Sequence, residues 1–443
     1  MNSGNLNKIP YYNSWIGLSV FVFILIFQPG KFTFFAIRPS DVWLWYCLFL
    51  QLKNGYNITL PFKNRFLIKN YGLFMGVLAI ISTLIQASYA NISLESSFVF
   101  QFYRFLRFLL IFKFVENILS NFTSDDSHKF WRIYTLMGLI VLVLSFLEFY
   151  DIKSFKLLMI NLYYERPEDT IEAYLNMSER LAGVLGNPNS TAILLVTTLT
   201  YPLLRIGIGG SILIKRILYS IYILATIYVL LVLTGSRTSI FILLIVFSFI
   251  LIATSRQLKE VLLYLILTLI MTGTGLYLYQ RFKSNIEVQG RITESVQGKN
   301  FQFSAKGIAE WTGRDEMWQD RLNTFNREGN QLAILLGLGY TKVYEDYADN
   351  GLLTTFINDG LTGLILKLFL FYFFIKYGFF RSIGYYIHFK IDYFNLAFVL
   401  SALSLLLMES TIEITQHYKL GQLFYFFLSI TMVINGKIFS KNN

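Results

Sequence analysis

Residues 349–375 read DNGLLTTFINDGLTGLILKLFLFYFFI. A helix needs roughly 20 apolar residues to cross the hydrocarbon core of a bilayer, and this stretch is long enough. Its first half nevertheless carries Asp349, Asn350, Asn358 and Asp359, groups that hydrocarbon rejects. Gly360 and Gly363 follow the second polar pair, and small residues let helix backbones approach closely. Either Asp349 or Asn350 can serve as a helix N-cap, because a short side-chain oxygen there accepts from the first free backbone N–H groups. The stretch therefore predicts a membrane helix with a polar mouth, and the rest of the chain has to say what the mouth is for.

The composition agrees with lipid as the solvent. Of 443 residues, 55% are hydrophobic, 18% aromatic and only 15% charged, whereas soluble domains run near a quarter charged. Apolar segments of spanning length are expected at 13–29, 38–53, 67–87, 97–119, 131–149, 188–206, 217–234, 238–254, 259–279, 350–377, 391–409 and 420–437. The fold class expected is thus an all-α integral membrane bundle of about twelve helices. Five blocks follow: helices in 1–149, a first long loop at 150–187, helices in 188–279, a large loop at 280–349, and helices with a tail in 350–443. Lys63, Arg65, Lys129, Arg132, Lys215, Arg216, Arg256, Lys259, Arg381 and Lys390 fall in short loops on one side, while SYANISLESS (88–97) on the other side has no Lys or Arg. Positive charge stays cytoplasmic, so both termini are expected there and the two long loops outside. The net charge of +11 is explained by basic loops facing anionic lipid rather than by nucleic acid. The single Cys47 excludes a disulfide or a cysteine metal site, and the first apolar segment lacks a small-residue cleavage pattern. In the large loop, TGRDEMWQDRLNTF predicts a helix with Thr312 and Asp315 in capping-box spacing and Trp318, Leu322 and Phe325 on one face.

No phosphate loop, His-Glu helix pair or carboxylate metal signature is present. His128 and His388 read as solvated loop residues, whereas His417, outward and near Glu409 and Glu413, stays a candidate for functional work. Three arginines stand out: Arg180 in RLAGVLGNPNSTA (180–192), Arg237 in LTGSRTS (233–239) and Arg314 in GRDEMW (313–318). They come from three outer connections, beside Gly, Ser or Asn, and helix N-termini next to Arg180 and Arg314 add partial positive charge. A planar guanidinium fork suits phosphate oxygens; equally, each arginine can anchor its loop at headgroup level. Within the fourth segment, Arg104 and Arg107 share a face, with Lys113 and Glu116 further along. Those charges either line a cavity or mark the helix end.

RLAGVLGNPNSTA, LTGSRTS, GRDEMW with LLGLGY (335–340), and DNGLLTTFINDGLTG together resemble the O-antigen polymerase and O-antigen ligase superfamily, in the right order over residues 180–363. The resemblance implies a GT-C-like glycosyltransferase bundle that uses polyprenyl-pyrophosphate-linked glycans without metal or other cofactor. It implies loop arginines, here Arg180, Arg237 and Arg314, on the pyrophosphate. Ligases carry a histidine two residues before an Asn, Ser or Gln and then two spaced glycines. Asn350, Gly360 and Gly363 fit that spacing, but the histidine position is Ala348. The Wzy-type polymerase branch is therefore expected, with Asp349 and Asn350 at the catalytic entrance and Glu409, Glu413 or His417 in reserve as general base. Gly360 and Gly363 then allow close helix approach below a substrate cavity. The bilayer and a chain-length regulator are the expected partners, with no nucleic acid. A flippase for the same lipid is the rival, though a transporter would more often show two related halves.

Overall fold

The computed structural model describes residues 14–29, 37–53, 65–90, 97–119, 122–151, 154–163, 181, 183–208, 213–254, 315–329, 331–340, 350–384, 393–409 and 418–440. These are about 90% helical and hold no strand. Helices α1 (Trp15–Phe27) and α2 (Pro39–Lys53) precede the longer α3 (Arg65–Ala90), α4 (Ser97–Leu119) and α5 (Ser124–Phe149). A short α6 (Phe155–Tyr163) leads to α7 (Pro188–Ile208), α8 (Leu213–Tyr228) and α9 (Arg237–Thr254). The large loop contributes α10 (Asp315–Glu328) and α11 (Ala333–Leu336). The C-terminal part is α12 (Gly351–Phe373), α13 (Tyr393–Met408) and α14 (Tyr418–Ser440).

Five helical stretches among the described residues are long and apolar enough to cross a membrane: Lys69–Tyr89, Ser124–Phe149, Pro188–Gly207, Leu213–Leu233 and Gly351–Gly384. Four apolar helices are shorter, Trp15–Phe27, Thr238–Leu251, Asn395–Met408 and Lys419–Asn435. The expected segment at 259–279 lies outside the described residues. α2 and α4 stand where segments were expected, but α2 has 15 residues and α4 contains Arg104, Arg107, Lys113 and Glu116. The polar run Arg38-Pro39-Ser40-Asp41, at the head of the segment expected over 38–53, forms the start of α2. Pro39 is its first residue, where the missing N–H costs nothing.

α7 is the axis of the bundle. It is buried on nearly all sides, so its threonines must find partners inside the protein. Thr197 Oγ1 lies 2.7 Å from Tyr134 Oη on α5, Thr198 Oγ1 2.6 Å from Tyr222 Oη on α8, and Thr200 Oγ1 3.0 Å from Ser401 Oγ on α13. Gly138 of α5 allows this approach: a Cβ there would overlap the Tyr222 hydroxyl and the Thr198 side chain. By contrast α8 turns Leu213, Ile214, Ile217, Leu218, Ile221 and Leu224 outward in a helical stripe, the surface expected on a lipid-facing helix. Three of the charges on α4 are paired within the protein. Arg107 Nε is 3.0 Å from Asp41 Oδ1 of α2, and Lys113 Nζ is 3.4 Å from Glu116 Oε2.

Candidate functional site

α12 is not the single straight helix expected over 350–377. Gly360 has φ 64° and ψ −165°, outside any helical region, and breaks it into Gly351–Asp359 and a longer helix beyond. Lys367 Nζ donates to the carbonyl of Gly351, sixteen residues earlier, at 2.7 Å. Along a straight helix these residues would stand about 24 Å apart, and a lysine reaches only about 6 Å by its bond lengths. The first half-helix is therefore folded back beside the second.

Such a break exposes backbone groups that no membrane interior can satisfy. The LLGLGY stretch supplies their partners. Leu338 N donates to Ile357 O at 2.7 Å and Gly339 N to Asn358 O at 2.9 Å. Only glycine fits here: a Cβ at Gly337 would overlap the backbone of Asn358 and Asp359, and one at Gly360 the carbonyl of Leu335. The end of α3 holds the same loop, since Tyr340 N donates to Thr83 Oγ1 at 2.9 Å and Gln86 Nε2 to Gly337 O at 3.1 Å. Tyr340 Oη donates to Asp359 Oδ2 at 2.9 Å, and Lys367 and Arg104 lie within electrostatic reach of that buried carboxylate. A shallow groove of about 580 Å³, lined by Leu84, Ile85, Ser88, Tyr89, Gln331 and Leu332, flanks this end of α3.

At the folded half-helix's start, Asn350 Oδ1 accepts from Leu352 N and Leu353 N, both at 3.0 Å, so Asn350 is its N-cap. Lys367 Nζ also donates to Thr355 Oγ1 at 2.8 Å and forms a buried ion pair with Glu409 Oε1. Gly351 N donates to Glu409 O at 2.9 Å, and a Cβ at Gly351 would overlap the Glu409 side chain. A buried lysine and a buried carboxylate are tolerable because each is paired and hydrogen-bonded. Glu409, a reserve base by sequence, is thus a structural partner of Lys367 with its charge matched.

A second group of loops sits at this end of the bundle. Lys419 Nζ, one residue into α14, donates to Ile26 O at 3.1 Å and Val184 O at 2.8 Å, with Tyr163 5.0 Å below it. Gly183 N donates to the buried Glu148 at 2.9 Å, and Leu181 N to Leu233 O at 3.3 Å. The last bond ties RLAGVLGNPNSTA to LTGSRTS. Gly183, Gly186 and Gly235 take φ of 69°, 69° and 56° in these turns, conformations that glycine adopts at no steric cost. Asn187 Oδ1 caps α7 by accepting from Asn189 N at 2.9 Å.

Arg180, Arg314, Asp349, Glu413, His417 and the Ala348 position lie outside the described residues. Arg237 is the first residue of α9, its side chain also outside them. Gly363 faces Leu78 of α3 and the Asp359 side chain. Of the face expected on α10, Phe325 is buried against Phe356 at 5.1 Å, but Leu322 is exposed. His128 is not a solvated loop residue: it sits within α5, half-buried, with Nδ1 2.6 Å from Tyr201 Oη. The sequence reading overlooked Lys367, Tyr340, Glu148 and Lys419. A lone lysine within LILKLFLF was the one local signal, but its partner stands 42 residues away. Comparison with protein-family models finds no match, and comparison with curated proteins finds none either.

Proposed function

We propose that the chain is a Wzy-type polysaccharide polymerase. It joins polyprenyl-pyrophosphate-linked oligosaccharide repeat units at the outer face of a bacterial plasma membrane. In this reading twelve segments cross the bilayer, both termini are cytoplasmic, and the end of the bundle that gathers Asn350, Gly183, Gly235 and Lys419 faces outward. The observation that carries it is the interlocking of the stretches behind the family resemblance. Leu181 N to Leu233 O joins the first two, and Leu338 N to Ile357 O joins LLGLGY to FINDG. The first of these bonds joins the stretches that carry Arg180 and Arg237, 52 residues apart at the bonded positions, and this supports the reading.

The reaction joins two lipid-linked substrates. A sugar hydroxyl of one repeat unit attacks the anomeric carbon of the growing glycan. A C–O bond forms there, the C–O bond to pyrophosphate breaks, and the hydroxyl proton passes to a base, for which Asp349 stands nearest the capped half-helix in sequence. Negative charge grows on the departing polyprenyl pyrophosphate, and Arg180, Arg237 and Arg314 stabilise it more than the ground state. Removing one such donor lowers the rate by roughly 10²–10³.

The test is glycan length in a deletion strain restored with wild type, Arg180→Ala, Arg237→Ala, Arg314→Ala or Asp349→Ala at equal membrane levels. Surface chains of a single repeat unit in the deletion and in the arginine variants are expected. Accumulation of repeat units on the cytoplasmic leaflet would instead make the protein their transporter. Full-length polymer left unattached to its final acceptor would make it a ligase.

A further inference from the structure

We infer that the end of the bundle opposite this site carries a seat for an anionic phospholipid headgroup, formed by Arg132 of α5, Arg205 of α7 and Lys215 of α8. His128 and Glu148 both belong to α5, and twenty helical residues separate their ends by about 30 Å, one hydrocarbon thickness. The Glu148 end meets Gly183 and the candidate site, so the His128 end lies at the other membrane interface.

The seat has a built floor. Tyr201 Oη lies 2.6 Å from His128 Nδ1, and the Tyr201 hydroxyl also counts Arg132 and Tyr219 among its hydrogen-bond partners. Tyr201 stacks on Trp131 with ring centroids 6.2 Å apart and 4° between planes, so this polar floor is fixed to the core. Arg132, Arg205 and Lys215 come from three helices that meet at this floor: Tyr201, one turn before Arg205, contacts the ring of Tyr219, one turn after Lys215, at 6.2 Å, and stacks on Trp131, the neighbour of Arg132. Thr198 to Tyr222 and the close approach at Gly138 pin those three helices together, which brings the three cationic positions to one patch. The carboxylates on this stretch of α5 are already engaged. Asp126 Oδ2 closes the capping box with Thr123 N at 3.0 Å, and Asp125 Oδ2 pairs with Lys129 at 2.6 Å while also lying within electrostatic reach of His128 and Arg132.

A set of cations from three pinned helices over a hydrogen-bonding floor favours a phosphate diester, whose oxygens match guanidinium forks. Aliphatic side chains select the lipid form of that phosphate. Below the cations, Leu136 and Leu139 of α5 and Ile217 and Leu218 of α8 are exposed, a surface for acyl chains. Basic pockets between membrane helices bind phospholipid headgroups by this combination. Exposed lysines and arginines scattered along a membrane would attract the same lipids, but without saturation or dependence on particular positions.

The experiment uses the full-length protein in a neutral detergent, titrated with phosphatidylglycerol, phosphatidylcholine or inorganic phosphate while its thermal midpoint is followed by intrinsic fluorescence. Phosphatidylglycerol is expected to raise the midpoint saturably, phosphatidylcholine and phosphate much less. Arg132→Gln and Arg205→Gln should each weaken that half-saturation about tenfold, the loss of a charge-assisted contact. Lys129→Gln removes the same charge from a side chain already paired, and should leave half-saturation within about twofold. Equal loss in Lys129→Gln overturns the seat in favour of a diffuse field. An equal shift from phosphate or phosphatidylcholine overturns the choice of ligand. Midpoints without lipid report whether each variant folds, and Arg205→Lys, which keeps the charge and loses the fork, replaces Arg205→Gln if the latter does not. None of these outcomes depends on whether the chain polymerises glycans.

Discussion

Lys367 and Glu409 show how a single pair can set local structure inside an apolar bundle. Both side chains are nearly fully buried, at 1% and 2% exposure, so neither charge has water to fall back on. Removing one partner leaves the other uncompensated, which typically costs about 3–5 kcal/mol, whereas removing both can be close to neutral. Lys367→Met is therefore expected to lower stability by that amount, and Lys367→Met with Glu409→Met to recover most of it. Thermal midpoints of wild type, the two single variants and the double variant in detergent complete the cycle. Additive losses would mean that the two charges do not depend on each other. The sequence made each residue visible on its own: a lysine in a run of Leu and Phe, and a glutamate after LSLLLM. Their pairing was not visible, because charge complementarity at a separation of 42 residues says nothing about distance in space.

At the level of elements, α12 is the instructive case. Hydropathy counts residues and is blind to direction, so a stretch that reverses at one glycine reads like one long helix. The polar groups Asn350, Asn358 and Asp359 belong to the break. Asn350 caps the folded half, Asp359 takes the Tyr340 hydroxyl, and the freed carbonyls of Ile357 and Asn358 accept from the 338–339 backbone. A direct check replaces Cys47, the chain's one cysteine, by Ala, and places cysteines at Leu338 and Ile357. Backbones joined by a 2.7 Å hydrogen bond bring their Cα atoms within disulfide range. Mild oxidation should link the two, read as a mobility shift that a reductant reverses and that either single cysteine lacks. No link under conditions where both thiols react with a maleimide would remove the pairing, and with it this account of the break.

For the whole molecule, the distribution of Lys and Arg over short loops predicts which way the bundle sits, and labelling can test it. In the Cys47→Ala background, cysteines at Asn2 and Asn443 should resist a membrane-impermeant maleimide in intact cells and react after permeabilisation. Ser93→Cys, in the loop without Lys or Arg, should react at once. Labelling of position 443 but not position 2 in intact cells would require an odd number of crossings and reverse the side assigned to part of the chain. The packing of α7 through Thr197, Thr198 and Thr200 belongs to this scale too, because each hydroxyl reaches a different helix.

Apolar periodicity and low charge sufficed to call for an all-helical bundle, since burying backbone polar groups in lipid leaves a chain few other options. Local chemistry likewise offered Asp349 or Asn350 as a helix cap, and Asn350 takes that place, because a cap is made within a few residues. Folding alone decided that α12 turns back at Gly360, that Lys367 meets Glu409, that Leu181 meets Leu233, and that His128 is held by Tyr201. Each of these joins residues whose separation along the chain carries no geometric information. Their contacts depend on how whole helices pack, and that packing is settled by side chains from every helix at once.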